Sequence, residues 1–340
     1  MLGNVLICRE FSLLDQRESS SMKLDFFSTG AGSHSLASNW LVSGECYPLT
    51  DVLLCPPAFL EAVPCCSVTR ERVRDGFAVC RDTAVAQHGS LQTALENAGV
   101  TCHEVNPAAG LPDLCFTRDV AATTPWGLVA LNPARAHRRA EVDQLLGTAR
   151  SLGVRPVCRI SEGTIEGGDI CIARPGLLII GCSGERTSTE GAEAFAAPFR
   201  QEGWDVIVYH FDPHFLHLDT IFCMLNETRA LACVDVLEDE FLDALAARGI
   251  GLIPVTYKEA RRLGCNILSI DGHTILIGSG HRRIADALSR AGFVPVEVDI
   301  AQLSACGGGI HCLTMPLARA VPVPVDDSTR TGIRALSRAN

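Results

Sequence analysis

The chain repeats itself. Five times in 340 residues a short run rich in Val, Ile and Leu leads into a helical stretch, a glycine and a second apolar run. The copies fall at 51–55, 83–97 and 100–105; at 127–132, 138–152 and 155–160; at 177–182, 190–202 and 205–210; at 230–235, 239–248 and 252–256; and at 273–278, 282–291 and 293–298. Runs this short and apolar read as buried strands, the stretches between them read as helix, and the glycine marks each helix stop. Repetition of one supersecondary unit constrains a fold more than any single element, because each unit buries its apolar face against its neighbours. A doubly wound sheet also alternates strands and helices. It needs no fivefold count, however, and no glycine-rich phosphate loop follows a first strand here. The expected fold is α/β, a five-fold pseudo-symmetric α/β propeller over residues 51–320 as one domain. Residues 1–50 read as a leader or extension, partly loop, with serine and glycine clusters at 19–21 and 28–35. Residues 321–340 read as an extended tail, since its prolines block any helix.

The connections leaving the copies carry the polar residues. The first ends in Phe116-Thr-Arg-Asp119, the second holds Glu166-Gly-Gly-Asp169, and the third holds His217-Leu-Asp219. The fifth holds three glycines, Gly307 to Gly309, and then Ile-His-Cys312. Modules set around an axis bring equivalent connections to one end. Asp119, Glu166, His217, Asp219 and Cys312 are therefore expected to meet although they lie far apart in the chain. Glycines let a backbone turn tightly and approach a ligand, and a thiol beyond such a turn is a candidate nucleophile. Singly, each residue has a plainer reading: a buried apolar cysteine, a polar turn, or a solvated ion pair of little worth. Their joint placement at corresponding points of a repeat is what those readings leave unexplained.

As chemistry, the set pairs Cys312 as nucleophile with His217 as acid and base. Three carboxylates, Asp119, Glu166 and Asp219, would repel the oxyanion of a protease reaction. They suit a planar cation rich in N–H donors, because guanidinium pairs bidentately with carboxylate. Attack of Cys312 on a guanidinium carbon, with His217 protonating the departing nitrogen, would give a covalent S-alkylthiouronium. A net charge of −10 is compatible with a cationic small molecule and argues against nucleic acid or an anionic membrane as partner. The 16 cysteines include no Cys-x-x-Cys pair, so no structural zinc site is expected, no other metal and no cofactor. A zinc hydrolase with cysteine and histidine ligands is a weaker reading. No basic leader precedes the first apolar residues and no stretch is long enough to span a bilayer, so a cytoplasmic protein with reduced thiols is expected. A homo-oligomer is compatible with the sequence.

These residues together resemble the guanidine-modifying, or pentein, superfamily of arginine deiminases, dimethylarginine dimethylaminohydrolases and amidinotransferases. The resemblance runs over residues 51–319 and implies a five-fold α/β propeller. It implies that Asp119 and Asp219 grip the guanidinium, with Asp169 also at the substrate. It implies that Glu166 supports guanidinium and histidine, that His217 is the acid/base, and that Cys312 is the nucleophile. Arg138, at a helix start after Leu-Asn-Pro, resembles the residue that binds the substrate carboxylate, and Arg186 in Gly-Glu-Arg-Thr-Ser resembles one lining the same pocket. Asp113 resembles the residue that takes the substrate α-amine, and Phe116 the pocket aromatic. The implied activity is cysteine-dependent hydrolysis of L-arginine or a close derivative to ammonia and a ureido product. An amidinotransferase, which shares Gly-Gly-Gly-x-His-Cys and His-x-Asp, is the alternative. A non-catalytic binding protein on the same fold would have little reason to keep all five residues. Asp219 departs from dimethylarginine hydrolases and favours unsubstituted terminal nitrogens. The absence of arginine in Gly307–Gly309, and of room for a helical insertion, departs from bacterial deiminases.

Overall fold

The computed structural model describes residues 24–26 and 40–321; the expectations for the serine-rich leader and for the tail beyond 321 lie outside the described residues. Five small sheets share one plan. A central strand pairs parallel with the strand after its crossover helix and antiparallel with a strand on its other side. In the third sheet Leu177–Cys182 lies between Ile170–Arg174, antiparallel, and Asp205–His210, parallel, joined by helix Thr189–Gln201. In the fourth sheet Arg229–Ala232 lies between Phe222–Asn226 and Gly251–Pro254, with helix Asp239–Ala247. The fifth sets Thr274–Gly278 between Leu268–Ser269 and Val294–Val298, with helix Arg282–Arg290. The second sets Gly127–Ala130 between Ala121–Thr124 and Cys158–Ile160, with helix Arg139–Ser151, and Leu24–Phe26 adds a fourth strand. The first joins an early strand to the last one. Leu49–Leu54 pairs parallel with Thr101–Glu104 across helix Arg81–Asn97 and antiparallel with Met315–Arg319.

The five parallel pairs are those expected from the repeat. The five antiparallel strands are additions, because each starts where a polar connection ends and reads as part of it. They are the inner strands: Met315–Arg319 lies against Ala121–Thr124, and Phe222–Asn226 against both Ile170–Arg174 and Leu268–Ser269. The glycine stops recur as one device. Gly99, Gly153, Gly203, Gly249 and Gly292 each follow a crossover helix with φ between +72° and +91°, the left-handed turn that returns the chain to its sheet.

The core lies between sheets and helices. All six residues of Leu177–Cys182 are buried, as a strand covered on both faces requires. Phe199 is wedged edge-on between Trp126 and Trp204, with ring centroids 4.8 and 5.1 Å away. Residues 40–47, read from sequence as leader, are packed in: Trp40, Val42, Glu45, Cys46 and Tyr47 are buried. The segment crosses the inner strands, bonding Val42 N–H to Thr124 and Glu45 N–H to Ile172. Among the described residues no helix is long and apolar enough to cross a membrane.

Candidate active site

Inner strands begin where polar connections end, so the fold itself carries the reactive residues to one place. Three connections enter their strands through single turns of 3-10 helix, Thr117–Val120, Gly167–Asp169 and Leu218–Thr220, the middle one touching both others. Asp119 sits in the first, Glu166 stands just before the second, and His217 and Asp219 open the third. With Cys312 they are all buried. Close approach demands glycine at two points. A Cβ on Gly168 would lie 2.6 Å from Nδ1 of His217, and one on Gly308 would lie 2.2 Å from the Phe116 ring. Neither contact is sustainable.

Sγ of Cys312 lies 3.4 Å from Oδ2 of Asp219 and accepts a hydrogen bond from Nδ2 of Asn266 at 3.2 Å. His217 donates through Nε2 to Oε2 of Glu166 at 2.8 Å, while its Nδ1 stands 3.7 Å from Oδ1 of Asp119. Glu166 also takes Nη1 of Arg186 at 2.9 Å. These neighbours set the protonation states. Burial pushes Glu166 up, but Arg186 and His217 outweigh it and hold the carboxyl well below its usual range. Burial would discharge His217, yet Asp119, the Cys312 thiol and Glu166 keep the ring protonated far above its usual value. Burial and then Asp219 push the Cys312 thiol up to about 12, against the pull of His217. The resting pair is a thiol beside an imidazolium, and a thiolate needs one more positive charge nearby. Two buried polar atoms here have no partner, Nδ1 of His217 and Oδ1 of Asp219. Leaving such an atom unpaired costs on the order of 1–3 kcal/mol, so both mark where a ligand belongs.

Behind Asp219 runs a chain that sequence reasoning missed. Oδ2 of Asp219 lies 2.9 Å from Nδ1 of His311, and Nε2 of His311 lies 2.9 Å from Oε1 of Glu45, both at hydrogen-bond distance. Arg118 reaches the same oxygen at 3.4 Å. His311 thus has a carboxylate at each ring nitrogen. Burial raises Glu45, but Arg118 and His311 bring it down to about 2. Against burial, His311 and His217 likewise hold Asp219 below the usual carboxylate range. Asn266 was also missed. Its Oδ1 takes the backbone N–H of His311 and of Cys312 at 3.0 and 3.3 Å. It belongs to the connection after the fourth copy, the place corresponding to Asp119 and Asp219, so the repeat was the signal that would have found it. No local pattern marks Glu45.

Several expected substrate contacts are placed differently. Both oxygens of Asp169 are taken, by Oγ1 of Thr187 at 2.6 Å and by Leu218 N–H at 2.8 Å, and burial raises its carboxyl to about 7. In this arrangement it braces the third turn. Arg138 donates to Glu141 at 2.9 Å, to Oδ2 of Asp119 at 2.5 Å, and to the carbonyls of Asp113 and Phe116 at 3.1 and 3.0 Å. Its donors are spent within the protein because two buried acids need it, so it anchors Asp119 rather than standing open to a carboxylate. Arg186 divides itself between Glu166 and the Cys65 carbonyl, 3.2 Å away. Asp113 pairs with Nε2 of His137 at 2.8 Å. Phe116 is buried beneath Gly308. The ligand atoms of Asp119, Glu166 and His217 lie within 4.8 Å of one another, with Arg138 paired to Asp119 and Arg186 to Glu166. The set as a whole offers a nucleophile, a protonated acid and an anionic wall around one buried point.

Similarity to known proteins agrees with that chemistry. The chain is 29% identical over 271 residues to the uncharacterized protein YkgA of Bacillus subtilis, covering 80% of this chain and 92% of that one. It is 25% identical over 235 residues to N(G),N(G)-dimethylarginine dimethylaminohydrolase of Pseudomonas aeruginosa, covering 68% and 87%. Its fold matches the N-terminal domain of ArgZ, a cyanobacterial arginine dihydrolase, with a TM-score of 0.70 at 21% identity, covering 79% and 98%. Residues 68–319 match the family described as N,N dimethylarginine dimethylhydrolase, eukaryotic. The chain thus has the five-fold pentein architecture and belongs to the dimethylarginine dimethylhydrolase family of guanidine-modifying hydrolases, which act on carbon–nitrogen bonds.

Proposed function

We propose that this hydrolase acts on L-arginine or a close derivative with unsubstituted terminal nitrogens, through a covalent thiouronium on Cys312. One observation carries the reading: Oδ1 of Asp219 is a buried carboxylate oxygen without a partner, on the side chain that touches the Cys312 thiol. It suits the N–H of an unmethylated terminal nitrogen, which a dimethylated one lacks. Asp119 and Asp219 face the guanidinium, Glu166 holds His217, Asp113 takes the α-amine and Phe116 walls the pocket. Since Arg138 is committed to Asp119 and Glu141, the substrate carboxylate falls to Arg135, whose Nε is buried without a partner.

The steps follow from the charges. Bound guanidinium supplies the positive charge that the thiol lacks, and Cys312 passes its proton to Oδ2 of Asp219, 3.4 Å away, as its sulfur adds to the guanidinium carbon. His217 protonates one terminal nitrogen and the C–N bond breaks, releasing ammonia. Water then adds to the thiouronium carbon with His217 taking its proton, and expulsion of Cys312 leaves a ureido group. The cyanobacterial neighbour is an arginine dihydrolase bound to substrate, which supports arginine as the first compound to try. Incubation with L-arginine and, separately, NG,NG-dimethylarginine, with and without glycine, following ammonia, dimethylamine and citrulline, tests the reading. Ammonia and citrulline from arginine that vanish in Cys312→Ala are expected. Dimethylamine as the dominant product would move the substrate to methylated arginine, and ornithine formed only with glycine would make it an amidinotransferase. Turnover surviving in Cys312→Ala would sink the mechanism.

A further inference from the structure

A second cluster sits beside this site, and two of its three residues, Cys65 and His137, have no role in the reaction sequence above. Sγ of Cys65, a carboxylate oxygen of Asp113 and a ring nitrogen of His137 lie within 4.8 Å of one another. They come from three separate segments: the loop before helix Ser67–Arg74, the connection that leads to Phe116, and the 3-10 turn Ala136–Arg138. Cys65 and His137 are partly exposed and Asp113 is buried, so an ion has both a way in and an anchored carboxylate. We propose that Cys65, Asp113 and His137 bind one borderline divalent cation of the zinc class.

The donor set argues for that class. Thiolate, imidazole and carboxylate together are what tetrahedral zinc takes, whereas calcium and magnesium take oxygen alone. Three protein ligands leave one position open for water. The hydrogen bond between Asp113 and Nε2 of His137, 2.8 Å long, already aligns two of the ligand atoms. Burial keeps the Cys65 thiol protonated above its usual range, so the ion would displace that proton on binding. Nη2 of Arg186 lies 3.3 Å from this sulfur, a charge an incoming cation must face. Arg186 is held independently by Glu166 and the Cys65 carbonyl, and can give up the thiol contact without losing its place.

Occupation would tie the 55–66 loop to the Asp113 segment. It would also take the carboxylate assigned to the substrate α-amine, so metal and substrate would exclude one another; that consequence rests on the function proposed above, whereas metal binding itself does not. The test is a titration of the full chain carrying Cys312→Ala with Co2+, reading the thiolate-to-cobalt charge-transfer absorption and the stoichiometry. One equivalent is expected. Cys65→Ser should abolish the charge-transfer band, and His137→Asn should weaken binding at least tenfold, with circular dichroism confirming that both variants remain folded. Absence of binding in the parent, a band that survives Cys65→Ser, or several equivalents spread over other cysteines would each overturn the site. Because no substrate enters this titration, its failure is separable from failure of the proposed reaction.

Discussion

Asp219 does two opposed things to Cys312. Its charge helps push the thiol up to about 12, yet its free oxygen is what the cationic substrate is proposed to meet. Asp219→Asn therefore separates the two. Loss of a charge-assisted hydrogen bond worth about 1.5–3 kcal/mol should lower kcat/KM by about 10- to 150-fold. In the same variant the thiol should ionise more readily, so neutral iodoacetamide should alkylate Cys312 faster at mildly alkaline pH, as followed by peptide mass spectrometry. Turnover and alkylation falling together would mean that the side chain merely holds the loop. Arg135→Ala should raise KM for arginine about tenfold with little change in kcat, the pattern of lost uniform binding. An unchanged KM would return the substrate carboxylate to Arg186. Arg138 shows at this scale where a motif stops being informative, since its donors meet Glu141, Asp119 and two carbonyls. A helix-start arginine after Asn-Pro signals an anion, but whether that anion is substrate or a buried Asp119 depends on packing that no motif encodes.

Among the elements, the segment at 40–47 does most that the sequence concealed. It lacks regular structure and apolar periodicity, yet it delivers Glu45 to the far side of His311. Glu45 is depressed from 4.5 to about 2, so its contribution to stability is complete above its unfolded value and is lost as pH falls through about 2. That shift corresponds to about 3 kcal/mol as an upper figure. Glu45→Gln should accordingly be less stable near neutral pH by up to that amount, with the deficit shrinking as the pH is lowered, as denaturant melts across the range would show. A deficit independent of pH would assign the loss to packing. The crossover helices, by contrast, were legible almost to the residue, because a 3.6-residue pattern closed by glycine is a local signal. Helix Thr189–Gln201 places Phe199 between Trp126 and Trp204. Phe199→Ala should cost about 3–5 kcal/mol with the site chemistry intact, measurable as a lowered Tm at unchanged KM. The inner strands were illegible for the opposite reason: two to five residues starting at a polar turn carry too little pattern to stand out.

The molecule closes on itself through its ends, and that closure governs what can be cut. Met315–Arg319 completes the sheet begun by Leu49–Leu54. Beyond the ladder, Arg319 donates to the carbonyls of Tyr47 and Ser269 at 2.5 and 2.9 Å, and Ala320 N–H bonds Pro48. The repeat in the sequence foretold five modules around an axis. It could not say that the first module is finished by the last strand, because that pairing joins segments far apart in the chain. Since the third, fourth and fifth modules are each continuous in sequence, where the chain begins matters less than keeping each ladder whole. A circular permutant joining residue 340 to residue 1 and opened at the exposed hairpin turn Pro175-Gly176, whose Gly176 has φ +83°, breaks no ladder at its centre. It should fold and retain Cys312-dependent turnover, as termini at surface turns commonly allow. Truncation after Thr314 leaves Leu49–Leu54 without its antiparallel partner and removes the buried Arg319. It should fail to give a cooperative thermal transition even though all five site residues are still present. A truncated chain that melts cooperatively and turns over substrate would show that the ring does not need its closing strand.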